Sequence, residues 1–518
     1  MAESDMPSSD NPGIVGIIQA GQRQATEICR AVYNGTLTLR ETPGLLPQYP
    51  KEDDDVYLDR LGQTVCFGAY KKTIKSMTGI VFKEDPTLDA DVPTEVIEHL
   101  KNIDLAGQDI AQFAQLEFRN KEIDGHVDIL VDWHGEGGAR SKKDEEAGEA
   151  RPYWTLIKKG QEVRAEPRRD GGTVILTSYA YQEEDIQRVG EFGQEAILRM
   201  RQFDLSAKGG VVILPDEPLP PKDKRRVLFR SWTKKKDDEG EWIPEEAGIV
   251  LGERMKRIPV VTDYAERTGY MQSDPPGIDL ALENLKHWQI RSDHDQSLHT
   301  ASIAILNIWD KSADDLETVK IGTGIGLKFS GSRTDEGSEY TEAQGHGLEH
   351  TRQELLDIQQ RMAALGLSMM ERSTRQAETE EKVRLDQKGQ DSELANQARL
   401  TNAALEEALK IHALWMGKDE AKAGKILLNT DYATNLLSPQ MAAVFLKAVG
   451  EGAMSLDQYF DRLVAAKIYG EDFDKELEKQ LIAKGNVASL AAATEMARRT
   501  ANTGVEETEG AEAVEVAV

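Results

Sequence analysis

Residues 275–299 read PPGIDLALENLKHWQIRSDHDQSLH. The Pro275-Pro276 pair is extended and rigid. Asp279 then sets a carboxylate beside the unpaired N–H groups of a first helical turn. Ile278, Leu282, Leu285 and Trp288 fall at helical spacing and predict one apolar stripe. Beyond Trp288 the stripe stops, and Arg291, Asp293, His294, Asp295 and His299 make the second half polar nearly all round. A helix of roughly twenty-two residues is about 33 Å long. Half of it reads as core and half as a strut whose partners lie outside its own domain.

The 518-residue chain around this helix has room for about three domains. Its 30% charged and 39% hydrophobic residues are ordinary for a soluble protein. The N-terminus shows no basic-then-apolar leader, and its apolar run at Ile14–Ile18 is too short to span a membrane. Cys29 and Cys66 are the only cysteines and lack metal-ligand spacing, so a reducing compartment without disulfides is expected. The net charge of −28 argues against tight DNA binding, because affinity for phosphates comes from counterion release at cationic groups. An acidic surface can still face DNA that must slide past without sticking.

Upstream of the opening stretch, residues 1–13 are small and polar, and a helical pattern runs from Gln19 to Tyr33. Leu61, Val65, Ile74 and Met77 predict a local helical core. A helix over Ile110–Phe118 leads through the turn dipeptide Asp124-Gly125 into a strand, His126–Trp133. Asp132 and His134 read there as a strand-end acid and a loop histidine, not as ligands. Residues 135–150 predict an exposed loop. Strands are predicted over Val174–Tyr181, Ala196–Leu205, Val211–Leu214, Val227–Trp232 and Ile258–Val261, with Asp237–Gly240 closing a hairpin. The run from Lys222 to Lys236 concentrates cations, among them Lys224, Arg225, Arg226, Lys234, Lys235 and Lys236. It reads either as a solvated hairpin with charged edges or as a docking patch for an acidic protein or DNA phosphates.

Downstream, Ile303–Ile308 and Leu327–Phe329 predict strands joined through a Gly-rich turn, IGTGIG. That spacing is neither a dinucleotide fingerprint nor a phosphate loop, and the chain carries no Walker-type sequence. Ser330–Gly347 reads as a polar loop. Leu348, Thr351, Leu355, Ile358, Met362, Leu365 and Met369 then form a packing seam, resumed by Leu394, Ala398, Thr401, Leu405, Ala408, His412 and Trp415. His412 on that face reads as a satisfied core histidine. His346-Gly-Leu-Glu349-His350 matches the inverted zinc-protease pattern, but the glycines weaken its first turn and only Glu420 is available as a third ligand. Further helices open at Ser438-Pro439 and at the capping box Ser455-x-x-Gln458, and a last one covers Asp472–Lys484. Gly504–Val518 predicts a disordered acidic tail. The residues therefore describe an acidic, α-rich α+β assembly protein with no catalytic, metal or cofactor site.

The opening stretch also carries a resemblance. Pro275, Pro276, Asp279, Leu280, Asn284, Leu285, His287, Trp288, Gln289, Ser292, Asp293, Leu298 and His299 resemble the signature helix of one class of tailed-phage portal proteins. A proline expected shortly after the Leu-His is replaced by Ser302-Ile303-Ala304. Asp53–Asp55, Tyr57, Arg60, Ile74, Gly79, Val81 and Phe82 are similar to a passage near the start of those proteins. So are the strand ending in Asp132, the Tyr340-x-Glu342 stretch with Gly345 and Gly347, and the run from Asp391 to Gly417.

The resemblance implies a portal-type fold with wing, stem, β-rich clip, tunnel loop and C-terminal helical crown. It places an N-terminal segment at 1–48, the wing at 49–205 and 301–423, the clip at 206–262, the stem helix at 263–300, the tunnel loop near 330–347, the crown at 424–500 and a tail at 501–518. It implies a homo-oligomeric ring, usually of twelve subunits, at one capsid vertex of the virion, assembled in the host cytoplasm. Implied partners are the terminase large subunit, the major capsid or scaffolding protein, a head-tail adaptor and duplex DNA that passes without tight binding, with no membrane. Lys328, Ser332, Arg333, Gln344 and His346 would face DNA. Asn284, His287, Arg291, Asp293, Asp295 and His299 would serve contacts between subunits, and the six cations named above would dock a partner at the clip. No enzymatic activity or cofactor is expected. The rival readings are a zinc hydrolase using residues 346–350 and a monomeric helical assembly adaptor.

Overall fold

The computed structural model describes residues 11–134, 151–207, 212–213, 217–236, 241–251, 254–302, 305–309, 317–321, 324–329, 337–341, 346–366, 380–430, 445, 447–449, 453–465, 473–480, 482 and 484. The chain divides into two compact units, Met1–Tyr432 and Ala433–Val518. It is mixed α/β, with several sheets, as the α+β expectation required. The first unit holds helices α1 (Ile17–Asn34), α2 (Thr36–Glu41), α3 (Asp54–Gln63), α4 (Ala69–Val81), α5 (Thr94–Leu100), α6 (Ile110–Asp124), α7 (Ile278–Ser302), α8 (His346–Leu365) and α9 (Glu380–Trp415). Its strands are β1 (Thr87–Leu88), β2 (His126–His134), β3 (Arg151–Lys158), β4 (Glu162–Asp170), β5 (Thr173–Val189), β6 (Gly193–Ser206), β7 (Arg226–Lys235), β8 (Ile243–Ile249), β9 (Val260–Tyr264), β10 (Arg267–Gly269), β11 (Gln272–Ser273), β12 (Ile305–Trp309), β13 (Glu317–Ile321), β14 (Gly324–Phe329), β15 (Gly337–Thr341) and β16 (Ile426–Leu427).

The core of this unit is built on β2. Asp109 caps α6 by accepting from the Gln112 N–H, and Gly125 ends the helix at φ +89°. A side chain at Gly125 would also meet the Asp274 backbone at 2.7 Å, so glycine is required twice over. β2 is the middle strand of an antiparallel sheet ordered β3-β2-β9. Its residues 126–132 are all buried. The second seam read from the sequence lies against it: Leu394, Ala398, Thr401, Leu405, Ala408, His412 and Trp415 are all buried on α9. The Trp415 indole donates to the Val131 carbonyl at 2.9 Å.

A five-stranded antiparallel sheet, β4-β5-β6-β7-β8, spans residues 162–249. It runs through the expected wing–clip boundary at 205/206, since β6 crosses that point and pairs with β7. Strands β3 and β4 were not read from the sequence; β4, EVRAEPRRD, carries Pro167 at a shift of register. The charged-edge reading of the basic run is corrected as well. β7 lies between β6 and β8, so its backbone is paired on both sides.

Helices α7 and α8 form an antiparallel hairpin, with His294 near Thr351, His287 near Gln359 and Glu283 near Arg361. Leu280, Ala281, Leu285 and Trp288 of α7 share a core with Ile358 and Met362 of α8 and with residues of α1, α3 and α4. Leu282 does not join them; it is 44% exposed, and Asn284, His287 and Ser292 are buried in its stead. The stripe expected from hydrophobicity alone is rotated, because polar residues of α7 have partners to meet. In the same way Leu61 and Ile74 are buried as expected, while Val65 is 62% exposed.

Between α7 and α8 lies a small mixed sheet ordered β13-β14-β12-β15, in which β12 and β14 are parallel. Among the described residues its strands pack chiefly on one another. The IGTGIG segment closes the β13–β14 hairpin, and β13 had not been foreseen. The stretch expected to be a polar loop, 330–347, contains β15, paired antiparallel with β12, and the first residues of α8.

In the second unit, helix α10 (Leu456–Ala465) buries Phe460 and Leu463, and the Phe460 ring meets the Phe473 ring edge-on at 5.4 Å. Ser455 accepts from the Gln458 N–H at 3.2 Å, as its capping role predicts. The Ser438-Pro439 start and the acidic tail lie outside the described residues. No helix among the described residues is long and apolar enough to cross a membrane.

Candidate functional site

Two polar clusters are built into the first unit. The first gathers residues far apart in the chain around Arg60 on α3. Its Nε and Nη2 donate to the two Glu52 carboxylate oxygens at 2.7 and 2.8 Å, and Nη2 also reaches the Pro47 carbonyl at 2.9 Å. Nη1 donates to Ser292 Oγ and to Asp293 Oδ1 on α7. The rings of Tyr49 and Tyr57 flank the guanidinium at 4.9 and 5.7 Å, and the Tyr49 hydroxyl donates to Asp293 at 2.8 Å. The hydrogen bonds from Arg60 hold the Glu52 carboxyl below the usual carboxylate range.

About two turns back along α7, Asn284 accepts from the Tyr70 N–H at 3.0 Å and donates to the Phe67 carbonyl at 2.7 Å. It thereby ties α7 to the start of α4. Gln289 donates to the Leu45 carbonyl at 2.8 Å. His287 lies 3.1 Å from Gln359 Nε2, and burial, with Arg291 nearby, pushes its pKa down to about 4. Arg291 pairs with Asp295 one turn on, at 2.8 Å, and His299 is exposed. The polar half of α7 thus finds most of its partners within its own chain.

The six cations named from the basic run, Lys224 to Lys236, are also largely engaged. Arg225 is 5% exposed and bonds Asp170 and the Pro220 carbonyl, each at 2.9 Å. Arg226 is buried and bonds the Arg225 and Asp223 carbonyls. Lys235 pairs with Glu195 and Lys236 with Glu184, both at 2.8 Å. Lys224 is exposed and Lys234 half-buried. Lys328 lies on β14; Ser332, Arg333, Gln344 and the His346 side chain lie outside the described residues. In the zinc-protease-like segment, Glu349 is exposed and bonds Arg352 at 2.8 Å. Glu420, the candidate third ligand, pairs with Arg257 at 3.0 Å.

The second cluster is wholly buried, between α6, β2, β9 and α9. Lys121 donates to Thr401 Oγ1 at 2.8 Å and to the Gln397 carbonyl at 2.9 Å, and Thr401 donates to Asp263 at 2.6 Å. Glu117 and Glu122 are 0% exposed beside them. Burial first, and Asp263 second, raise the Glu117 carboxyl well above its ordinary range. A further set of buried polar groups starts from β2, at His126 and Asp128, whose register partners Tyr264 and Thr262 alternate with Asp263 along β9. His126 Nδ1 is 2.6 Å from Ser273 Oγ, and its Nε2 is 3.2 Å from Glu162 Oε2. Asp128 accepts from Thr262 at 2.5 Å and Tyr179 at 2.7 Å, and Glu162 accepts from Gln19 at 2.8 Å. Burial drives the His126 imidazole down to about 4, and pushes Asp128 up to about 6 and Glu162 up to about 7.

Sequence reasoning missed this second cluster. Its visible signal was a histidine and two acids at alternate positions, 126, 128 and 132, in a strand otherwise fit for full burial. Glu162 gave no signal, because its strand was not read. His412, by contrast, is the satisfied core histidine expected: it accepts from the Trp154 indole at 3.2 Å and lies 3.0 Å from His99 Nδ1.

Residues 276–416, from the start of α7 to the end of α9, match a protein-family model described as a domain of unknown function, DUF4055. That domain occupies well under half of the chain, in its C-terminal region. The chain matches no curated protein.

Proposed function

We propose that the chain is the subunit of a phage portal, a ring at one capsid vertex through which a separate terminase drives DNA and from which the DNA later leaves. The observation that carries this reading is the meeting of the two portal-like sequence blocks. Arg60, Tyr57 and the acidic stretch before them come from one block; Ser292, Asp293 and Asn284 come from the other, more than 200 residues on. They bond one another directly through Arg60 and, at Asn284, through the start of α4. Residues shared with a family as scattered motifs would have no reason to converge unless the motifs encode one joint.

In this reading α7 is the stem helix, and the small sheet after it, α8 and α9 belong to the wing. The β-rich clip falls within the five-stranded sheet, the tunnel loop lies near 330–347 and the second unit is the crown. The ring has about twelve copies, lives in the virion and binds terminase, capsid or scaffolding protein and a head-tail adaptor. The net charge of −28 per chain supports a channel that repels phosphates over about 8 Å at physiological salt, so the duplex slides. The chain itself carries out no catalysis in this reading.

Negative-stain microscopy of the purified protein tests it: closed rings of about twelve subunits with a central channel are expected. A monomer by light scattering at micromolar concentration would overturn the portal reading in favour of an assembly adaptor.

A further inference from the structure

We propose that His126, Asp128 and Glu162 form a buried binding site for one divalent transition-metal ion of the zinc or manganese class. Each offers one ligand atom, and the three atoms lie within 4.8 Å of one another. The residues are 0%, 0% and 1% exposed. His126 Nε2 and Glu162 Oε2 are 3.2 Å apart. Metal–ligand bonds of about 2.0–2.2 Å in a tetrahedral arrangement bring neighbouring ligand atoms to roughly that distance. One imidazole with two carboxylates is a donor set that suits zinc or manganese.

The groups behind the three ligands carry the argument further. A metal-bound imidazole is held by a hydrogen bond on its other nitrogen, and His126 Nδ1 has Ser273 Oγ at 2.6 Å. The two Asp128 oxygens are fixed separately, one by Thr262 and the other by Tyr179. Gln19 orients Glu162 through its other oxygen, leaving Oε2 directed at His126. Every ligand is thus positioned from outside by a hydroxyl or an amide, on four separate elements: α1, β5, β9 and β11.

The neighbouring cation Lys159 favours an ionised Glu162 through space and offsets only part of the carboxylate charge. Lys159 donates to the backbone carbonyls of Asp124 and Ser273, and Arg30 is engaged by Asp124 and Asn120. A divalent ion would neutralise two carboxylates enclosed in a low-dielectric interior, where unpaired charge is costly. Enclosure also sets the role. The ion would enter as the chain folds and would pin β2 to the start of β4, a structural site that adds its binding energy to folding. This replaces the expectation of a metal-free chain and leaves the segment 346–350 with no part in it.

The test uses the full-length protein with zinc and manganese ions themselves. Wild type is unfolded in denaturant with EDTA, then refolded with EDTA, with zinc or with manganese, dialysed and analysed for metal. The expected result is about one equivalent of one of these ions per chain, and a melting temperature several degrees above that of the EDTA-refolded protein. Glu162→Gln and His126→Ala should abolish the bound equivalent, while His346→Ala with His350→Ala should keep it. Refolded wild type with no bound ion and the same melting temperature in all three conditions would overturn the proposal. So would an equivalent of metal that survives in Glu162→Gln and His126→Ala. Because the first comparison needs no variant, a misfolded mutant leaves the test intact.

Discussion

The Arg60 and Lys121 clusters solve the same problem, burial of charge, in opposite ways. Arg60 is enclosed by one buried and one half-exposed carboxylate, a hydroxyl and a carbonyl, and its nitrogens donate in every direction a guanidinium allows. Its fixed fork satisfies Glu52 bidentately, so that carboxyl stays ionised and its pKa falls. Around Lys121 one ammonium meets Glu117, Glu122 and Asp263, all buried. A single point charge cannot hold three carboxylates ionised without water, and desolvation raises both the Glu117 and the Asp263 carboxyls. The first cluster is an ion pair made rigid; in the second, one ammonium is shared among three buried carboxyls. Formal charge alone does not tell the two apart, and geometry does.

The largest expected effect separates them at their cations. Lys121→Met strands Asp263 and removes the bonds to Thr401 and the Gln397 carbonyl, at a cost of about 3–5 kcal/mol in chemical denaturation. Arg60→Ala exposes Glu52 to an unpaired, largely buried state and should cost about 3 kcal/mol, somewhat less because Asp293 is 38% exposed and screened. A cost under about 1 kcal/mol for either would end the comparison.

The carboxyls sharpen it. Glu117→Gln puts a neutral amide where burial already favours the neutral acid and should cost less than about 1 kcal/mol, whereas Glu52→Gln breaks a charged bidentate pair and should cost about 1.5–3 kcal/mol. The pH dependences should run in opposite directions. Glu52, with its folded pKa lowered, stabilises the fold above the unfolded value of about 4.3, and that contribution is lost as pH falls through the folded pKa. Glu117, with its folded pKa raised, contributes fully below about 4.3, and its share is lost as pH rises through the folded pKa. Stability measured against pH should therefore decline less on the alkaline side in Glu117→Gln than in wild type. An identical decline would show that Glu117 is already ionised.

The smallest effect tests the face of α7. Leu285→Ala, in the core, should cost about 2–3 kcal/mol, while Leu282→Ala should stay within about 0.5 kcal/mol. The asymmetry bears on what the sequence could reveal. Periodicity located α7, α8, α6, β2 and the second seam, because burial of apolar side chains repeats at the pitch of the element. Of the first seam, Leu355, Ile358 and Met362 are buried, Leu365 is 52% exposed and Met369 lies outside the described residues. Periodicity failed where polar residues were the buried ones. Asn284, His287 and Ser292 displaced Leu282 from the core because their partners, Phe67, Gln359 and Arg60, lie more than 70 or 200 residues away, and no local pattern encodes them. Strands β4 and β15 were unread for a related reason. Their residues, EVRAEPRRD and GSEYT, are largely polar, and pairing with a neighbour, not hydrophobic alternation, makes them strands, whereas β3, RPYWTLIK, buries Trp154 and Ile157 and did carry a signal. Arg60 could be singled out by its acidic and aromatic surroundings, whereas Glu162 stood in a segment that announced nothing.

The small sheet at the end of the α7–α8 hairpin has a consequence in time. Its strands lean chiefly on each other, and α7 reaches it through turns beyond Ser292 whose last residues are exposed. Opening it costs only its own contacts, while opening β2 means dismantling the three-stranded sheet and lifting α9 away. Backbone amides of residues 305–309 and 337–341 should therefore exchange with deuterated solvent through local openings, orders of magnitude faster than those of 127–131. Exchange of the latter waits for global unfolding. The chain thus keeps two clocks, a slow one in the core and a fast one at the tip of the hairpin, and whatever binds the tip would be read first as a slowing of the fast clock.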